Sequence, residues 1–193
     1  MNTIALFTTL ENFETEVSRL YGRFAEVFAT DNEAAIVFYR MHLEEKSHAS
    51  LVRYQKRIAK QNPKLVRPAE VNVEILETTI KVVRSIRDSP VTPDLKSAVV
   101  RSYEIEMSAA ESHYRNAIEH SCDGITHLLN GLCLGDKQHA VALREFGVGR
   151  GFLPNLSAPL PPSVSSAAVT QVMTKNQGLK MSLARKTILG NPA

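Results

Sequence analysis

The chain has 193 residues, 44% apolar and 22% charged, with a net charge of +3, a balance that excludes global disorder and leaves room for one buried domain plus an appendage. No apolar run approaches the roughly 18 residues of a spanning helix. Two cysteines, Cys122 and Cys133, lack C-x-x-C spacing and exclude a disulfide framework; both read as inert buried thiols. The opening MNTIALFTTLENFE has no basic stretch and meets acidic residues early, so no secretory signal is read and a reducing, cytoplasmic setting is expected. Residues 153–193 hold Lys175, Lys180, Arg185 and Lys186 and no acid, so a near-neutral body carries a basic tail.

The first periodic segment runs over about residues 4–29, with Leu10, Val17, Tyr21, Phe24 and Phe28 at three- and four-residue steps. Asp31 or Thr30 is placed to cap the second, which continues to about 61 through Phe38, Met41, Val52 and Ala59. Pro63, Pro68, Pro90 and Pro93 bracket a shorter helical pattern at about 70–87. The third long segment opens on Thr92 as cap, Pro93 in the first turn and Asp94 at the positive dipole end, and runs to about 120. The fourth spans about 123–147 through Leu129, Leu132, Leu143 and Phe146, and Gly147, Gly149, Gly151 and Pro154 end it. Strand-like alternation is almost absent. Connections that are short, long and short predict an all-α antiparallel four-helix bundle with one crossover containing a short helix. The bundle is expected over 1–150, followed at 151–193 by a Pro/Ser-rich linker and a basic, weakly amphipathic segment.

Polar residues interrupt each apolar seam at mid-length. The seams read Leu10-Glu14-Val17-Tyr21, then Phe38-Met41-Glu45-His48-Val52. The other two are Val99-Ser102-Glu106-Ala109-His113 and Leu129-Leu132-Asp136-His139-Leu143. Residues three apart on a helix differ by about 60° in direction and ~4.5 Å in height, so Glu45 with His48, and Asp136 with His139, can each approach one centre. A solitary Glu-x-x-His is ordinarily a solvated face. Two of them on apolar seams, partnered by Glu14 and Glu106, are different: buried charge of that kind needs compensation, and divalent cations supply it. Spacings of 31 residues from Glu14 to Glu45 and 30 from Glu106 to Asp136 suggest two related hairpins bringing all six groups to one level. Glu11, Glu16, Glu44, His42 and Glu104 fall off the seams and are expected at the surface; His120 and His127 carry no signal.

The set of Glu14 with Tyr21, Glu45-Lys-Ser-His48-Ala, Glu106 with Ala109, and Asp136-Lys-Gln-His139-Ala resembles the ferritin-like superfamily, most closely its rubrerythrin-type branch, over about residues 4–148. The resemblance implies that Glu14, Glu45 and His48 hold one metal and Glu106, Asp136 and His139 the other, with Glu45 or Glu106 bridging. Tyr21 and His113 would tune the site or relay protons. Asp136 and His113 depart from the family's usual Glu and Tyr. The Cys-rich electron-transfer domain of full-length rubrerythrins has no counterpart in the matched region, which implies an external electron donor.

Carboxylate-rich donor sets suit two iron ions, or manganese, better than zinc or copper. The expected function is therefore a non-haem di-iron or di-manganese oxidoreductase acting on O2, peroxide or Fe(II), in a homo-oligomer of two or more chains. A second reading is iron storage within an assembly, the tail docking to a protein partner: its end, SLARKTILG, loosely resembles the peptides by which ferritin-like cargo enters bacterial protein shells. A third is a helical interaction protein with a decayed metal site. Arg53, Lys56, Arg57, Lys60, Lys64 and Arg67, with Lys81, Arg84 and Arg87, form a basic patch suited to a polyanion, but without interleaved aromatics it argues against nucleic acid.

Overall fold

Five α-helices and no strands make up the described residues of the computed structural model, which are 3–62, 73–108 and 123–155. They are α1 (Thr3–Val27), α2 (Asn32–Gln61), α3 (Glu74–Arg87), α4 (Leu95–Ser108) and α5 (Asp123–Gly149). The chain up to Asn155 forms one compact unit. Residues 63–72, the second half of the third long segment with His113, and the tail beyond 155 lie outside the described residues, as do the linker and docking readings of that tail.

Local chemistry sets the helix ends. Asp31 caps α2, its carboxylate accepting the Ala34 N–H at 3.1 Å. The start of α4 lies two residues later than the Thr92-Pro93 signal suggests. Asp94 is the cap: its Oδ1 accepts the Ser97 N–H at 2.9 Å and its carbonyl the Ala98 N–H at 3.0 Å. A carboxylate satisfies the free N–H groups of a first turn better than a threonine hydroxyl placed too early. Gly151, with φ +69°, closes α5 in the left-handed conformation, and the Phe152 N–H turns back to the Gly147 carbonyl at 2.7 Å. A side chain at Gly147 would collide with Leu153 and crowd Val99, so this glycine lets the end of α5 meet the start of α4.

Helix α1 packs along α2 on one side and α3 on another, α4 packs on α5, and α5 also meets α2. Its two packed sides explain why α1 buries Leu6, Phe7, Phe13 and Leu20 besides the seam residues Leu10, Val17, Tyr21 and Phe24. Phe24, Phe28, Phe38 and Tyr21 form an aromatic cluster with ring centroids 5.1–6.1 Å apart where α1 turns into α2. Arg150, just past α5, reaches Asp31 at 2.8 Å and Glu33 at 2.6 Å at the start of α2, so α2 and α5 run antiparallel.

Three surface expectations need correction. Glu11 is only partly exposed, its side chain at 16%, because Arg53 and Lys56 of α2 close on its carboxylate. Glu16 is buried, only 4% exposed, because α3 covers this side of α1 and brings Arg84 and Arg87 to it, with Arg19 at 3.3 Å from its own helix. His42 is half-buried against Gly22: its Nδ1 lies 2.8 Å from the Ser18 carbonyl, and the Ser18 hydroxyl donates to the His42 carbonyl at 2.9 Å. Much of the basic patch is also matched internally. Arg53 and Lys56 pair with Glu11, and Arg84 and Arg87 with Glu16. Lys64 and Arg67 lie outside the described residues.

Candidate metal centre

Three helices carry carboxylates to one level, and two bring imidazoles to them. Glu14 on α1, Glu45 on α2 and Glu106 on α4 are buried to 2% exposure or less, and His139 on α5 to 3%. His48, one turn beyond Glu45, is half-buried. Two groups of possible metal ligands result: Glu14, Glu45 and His48, and Glu45, Glu106 and His139, with the donor atoms of each group within 4.8 Å of one another. Glu45 belongs to both, one of the two bridging choices the sequence allows. Asp136 lies on α5 one turn before His139, but its side chain, like the whole of His113, lies outside the described residues.

His48 Nδ1 is 3.1 Å from Glu45 Oε2 and 3.8 Å from Glu14 Oε2. His139 Nδ1 is 2.7 Å from Glu45 Oε1 and 3.5 Å from Glu106 Oε2. Donors about 2.1 Å from a common ion lie roughly 3.0–3.5 Å apart in octahedral or tetrahedral arrangements, so these separations suit shared coordination. The 2.7 Å pair is not aligned as a hydrogen bond: Glu45 Oε1 and His139 Nδ1 are both fully buried and have no hydrogen-bond partner among the described residues. Close polar atoms that do not point at each other are what two ligands aimed at a third point look like. The donor set fits a metal.

The electrostatics show how the cluster behaves without one. Burial pushes the Glu14 carboxyl well above the usual range, and the charge of Glu45 adds to the effect. Glu106 is raised by burial and Glu45 in the same way. For Glu45 burial acts upward too, but the imidazoles of His139 and His48 outweigh it and hold the carboxyl well below the usual range. Burial alone would lower both histidines, yet Glu14 and Glu45 bring His48 up to about 10, and Glu106 and Glu45 bring His139 up to about 12. The metal-free site is thus a store of protons.

Supporting contacts fix the donors. The Tyr21 hydroxyl, fully buried, donates to Glu106 Oε1. His139 presents its other ring nitrogen, Nε2, to Glu44 Oε2 at 2.6 Å, which leaves Nδ1 facing the cluster. Glu44 does stand at the surface, its side chain 48% exposed, but its carboxylate reaches inward, so reading exposure alone missed it. The sequence offers only its adjacency to Glu45; that α5 passes on this side is a tertiary fact. Gly135 is a second omission. A Cβ there would lie 2.6 Å from His48 Cε1, so any larger residue would have to displace the imidazole, which stacks on His139 with ring centroids 5.6 Å apart. Ser102, one turn before Glu106, is fully buried, and its hydroxyl has no hydrogen-bond partner among the described residues. Glu104 is exposed, as expected.

In comparisons with known proteins the chain matches no family model, no curated protein and no solved structure.

Proposed function

We propose that the chain is a di-iron or di-manganese carboxylate oxidoreductase on a ferritin-like four-helix bundle, reacting with O2, peroxide or Fe(II). The observation that carries this reading is the buried, unaligned approach of Glu45 Oε1 and His139 Nδ1 at 2.7 Å, inside two donor groups that share Glu45. Glu14, Glu45 and His48 would hold one ion; Glu106, Glu45 and His139 would hold the other, with Asp136 the remaining candidate ligand from α5. A redox-active pair would supply electron transfer to the oxidant, at the expense of an external donor. The protein's own part is positional. Tyr21 holds one oxygen of Glu106 and so presents the other, Glu44 sets the His139 ring, and the surrounding apolar core keeps bulk water from the donors.

Reconstitution of purified protein with Fe(II) or Mn(II), followed by metal analysis, tests the reading. About two ions per chain are expected, one for each donor group, and fewer than about one would overturn it.

A second reading is favoured by one specific observation. His48 and His139 approach Glu14, Glu45 and Glu106 at 2.7–3.8 Å, and the carboxylates favour the protonated form of both rings, so imidazolium protons can offset much of the buried negative charge. A helical scaffold with a lapsed metal site would do the same, and its stability would not respond to Fe(II) or Mn(II).

A further inference from the structure

Helix α2 is apolar along two opposite lines. One, through Phe38, Met41, Ala49, Val52 and Ala59, is buried. The other carries Ile36, Tyr39, Leu43, Leu51 and Tyr54, each 45–59% exposed. Of nine exposed large hydrophobic side chains among the described residues, these five share one face of one helix. At 100° per residue, positions 36, 43, 47 and 54 lie within about 40° of one another, in a row roughly 27 Å long that runs parallel to the helix axis. Positions 39 and 51 flank it at about 60° on either side. Such a stripe on a solvent face marks an interaction surface.

The polar residues within the stripe decide what covers it. A helix from another protein would pack along the four- and three-residue steps that start at Ile36, and these read Ile36, Arg40, Leu43, Ser47, Ser50, Tyr54 and Arg57. Four of these seven are polar and two of them are charged, so no dry seam can form. A lipid surface makes no such demand. It touches a cylinder along one line parallel to the axis, takes large apolar side chains at the acyl boundary, and leaves serines and arginines among the headgroups. Tyrosines, apolar in the ring and polar at the tip, suit that boundary as well.

Charge selects the kind of lipid. Arg40, Lys46 and Arg57 all stand within about 80° of the row. Lys46 and Arg57 make no ion pair among the described residues, and Arg40 has only Glu44 at 3.9 Å. The acids on this half of α2 are already engaged, Glu33 by Arg150 at 2.6 Å and Glu44 by His139 at 2.6 Å. Cations beside exposed apolar side chains complement anionic headgroups laid over a hydrocarbon interior.

We propose that the outward face of α2 docks the protein on an anionic lipid surface. The helix lies flat, with Ile36, Leu43, Leu51 and Tyr54 at the acyl boundary and Arg40, Lys46 and Arg57 at the phosphates. Among the described residues no helix is long and apolar enough to cross a membrane, so α2 attaches from one side. The proposal depends on this face alone and stands or falls separately from metal binding.

The chain has no tryptophan, so Tyr54→Trp, at a position 57% exposed, gives the full-length protein a single reporter. The probe is a phosphatidylcholine vesicle containing roughly one-third phosphatidylglycerol. The protein should sediment with these vesicles, and the reporter's emission should shift to the blue and be quenched by bromine on the acyl chains. Leu43→Asp and Leu51→Asp should each weaken binding by roughly ten-fold or more, and Lys46→Gln and Arg57→Gln by about five-fold each. Vesicles of phosphatidylcholine alone should bind far less. Failure to sediment with the anionic vesicles would overturn the proposal. So would binding that survives both aspartates, which would assign it to the basic tail, or sedimentation without a shift of the reporter. Emission already blue before lipid is added would overturn it too, because another protein surface would then cover the face. Should an aspartate variant fail to fold, the reporter still decides.

Discussion

Two residues apart on α1, Glu14 and Glu16 are both buried, yet their surroundings have nothing in common. Glu16 faces α3, where Arg84 and Arg87 converge on it and Arg19 joins from its own helix, so its charge is met by fixed cations. Glu14 faces α2, where the nearest ionisable groups are another carboxylate, Glu45, and the imidazole of His48. A buried carboxylate is therefore no sign of metal binding in itself. The difference lies in what neutralises it: guanidinium groups that stay charged at any ordinary pH, or protons that a metal ion can displace.

Metal addition should separate the two regions most strongly. If Fe(II) or Mn(II) binds only the folded chain, a free concentration of about a thousand times Kd raises stability by roughly 4 kcal/mol, read as a shift in chemical denaturation midpoint. In a Glu45→Leu/His48→Leu variant that increment should vanish, whatever happens to metal-free stability, because Glu45 belongs to both donor groups. A lower metal-free stability with no metal response would favour the scaffold reading only if wild type also fails to respond. The pH dependence sharpens the contrast. His48 and His139 have folded pKa values near 10 and 12, above their unfolded values, so their stabilisation is complete below about pH 6.5 and is lost as pH rises through the folded values. Raised Glu14 and Glu106 act in the same direction, while depressed Glu45 loses its contribution in acid. Metal-free protein should thus weaken between pH 7 and 10, and metal affinity should rise over the same interval as the displaced protons become easier to remove.

Glu16→Ala probes the other region. It takes one of two carboxylates from Arg87, which is 21% exposed and keeps Asp88 at 2.8 Å, whereas Arg84 and Arg19 are exposed enough to regain water. The expected cost, discounted for that screening, is about 2 kcal/mol. It should be the same with and without metal, and a metal-dependent cost would mean that the two regions are coupled. Gly135→Ala comes next. The added methyl lies on the His48 ring, so the variant should lose roughly ten- to a hundred-fold in metal affinity, as seen when ligand orientation is disturbed, with little change in helical content. Isothermal titration with Mn(II) checks this, and unchanged affinity would remove His48 from the donor set.

Most of this contrast could be read from the chain, but unevenly. The seams and their interruptions place Glu14, Glu45, Glu106 and His139 because helical periodicity alone decides which residues share a face. Glu16 escaped because periodicity treats a helix as having one buried face. The crossover helix α3 gives α1 a second, and Arg84 and Arg87, read as part of an exposed basic patch, are its anchors. Glu44 and Gly135 escaped for a related reason. Their roles depend on the close passage of α2 and α5, a tertiary distance that no spacing within either helix encodes. The Asp94 cap was misplaced by two residues because Thr92-Pro93 offers a competing local start.

The smallest effect concerns Tyr21, and it distinguishes support from packing. Its ring lies in the aromatic cluster with Phe38, while only its hydroxyl reaches Glu106, so Tyr21→Phe removes one hydrogen bond and leaves the packing intact. A net loss of about 1 kcal/mol is expected in the metal-free protein. Because burial and Glu45 already raise Glu106, losing the donated hydrogen bond should raise it further and make the proton harder for a metal to displace. Metal binding should therefore weaken more at the lower of two pH values than at the higher, where that proton is more readily removed. A loss of affinity equal at both values would show that the hydroxyl merely fills space. No loss at all would detach α1's tyrosine from the site and leave Glu14 as that helix's sole contribution.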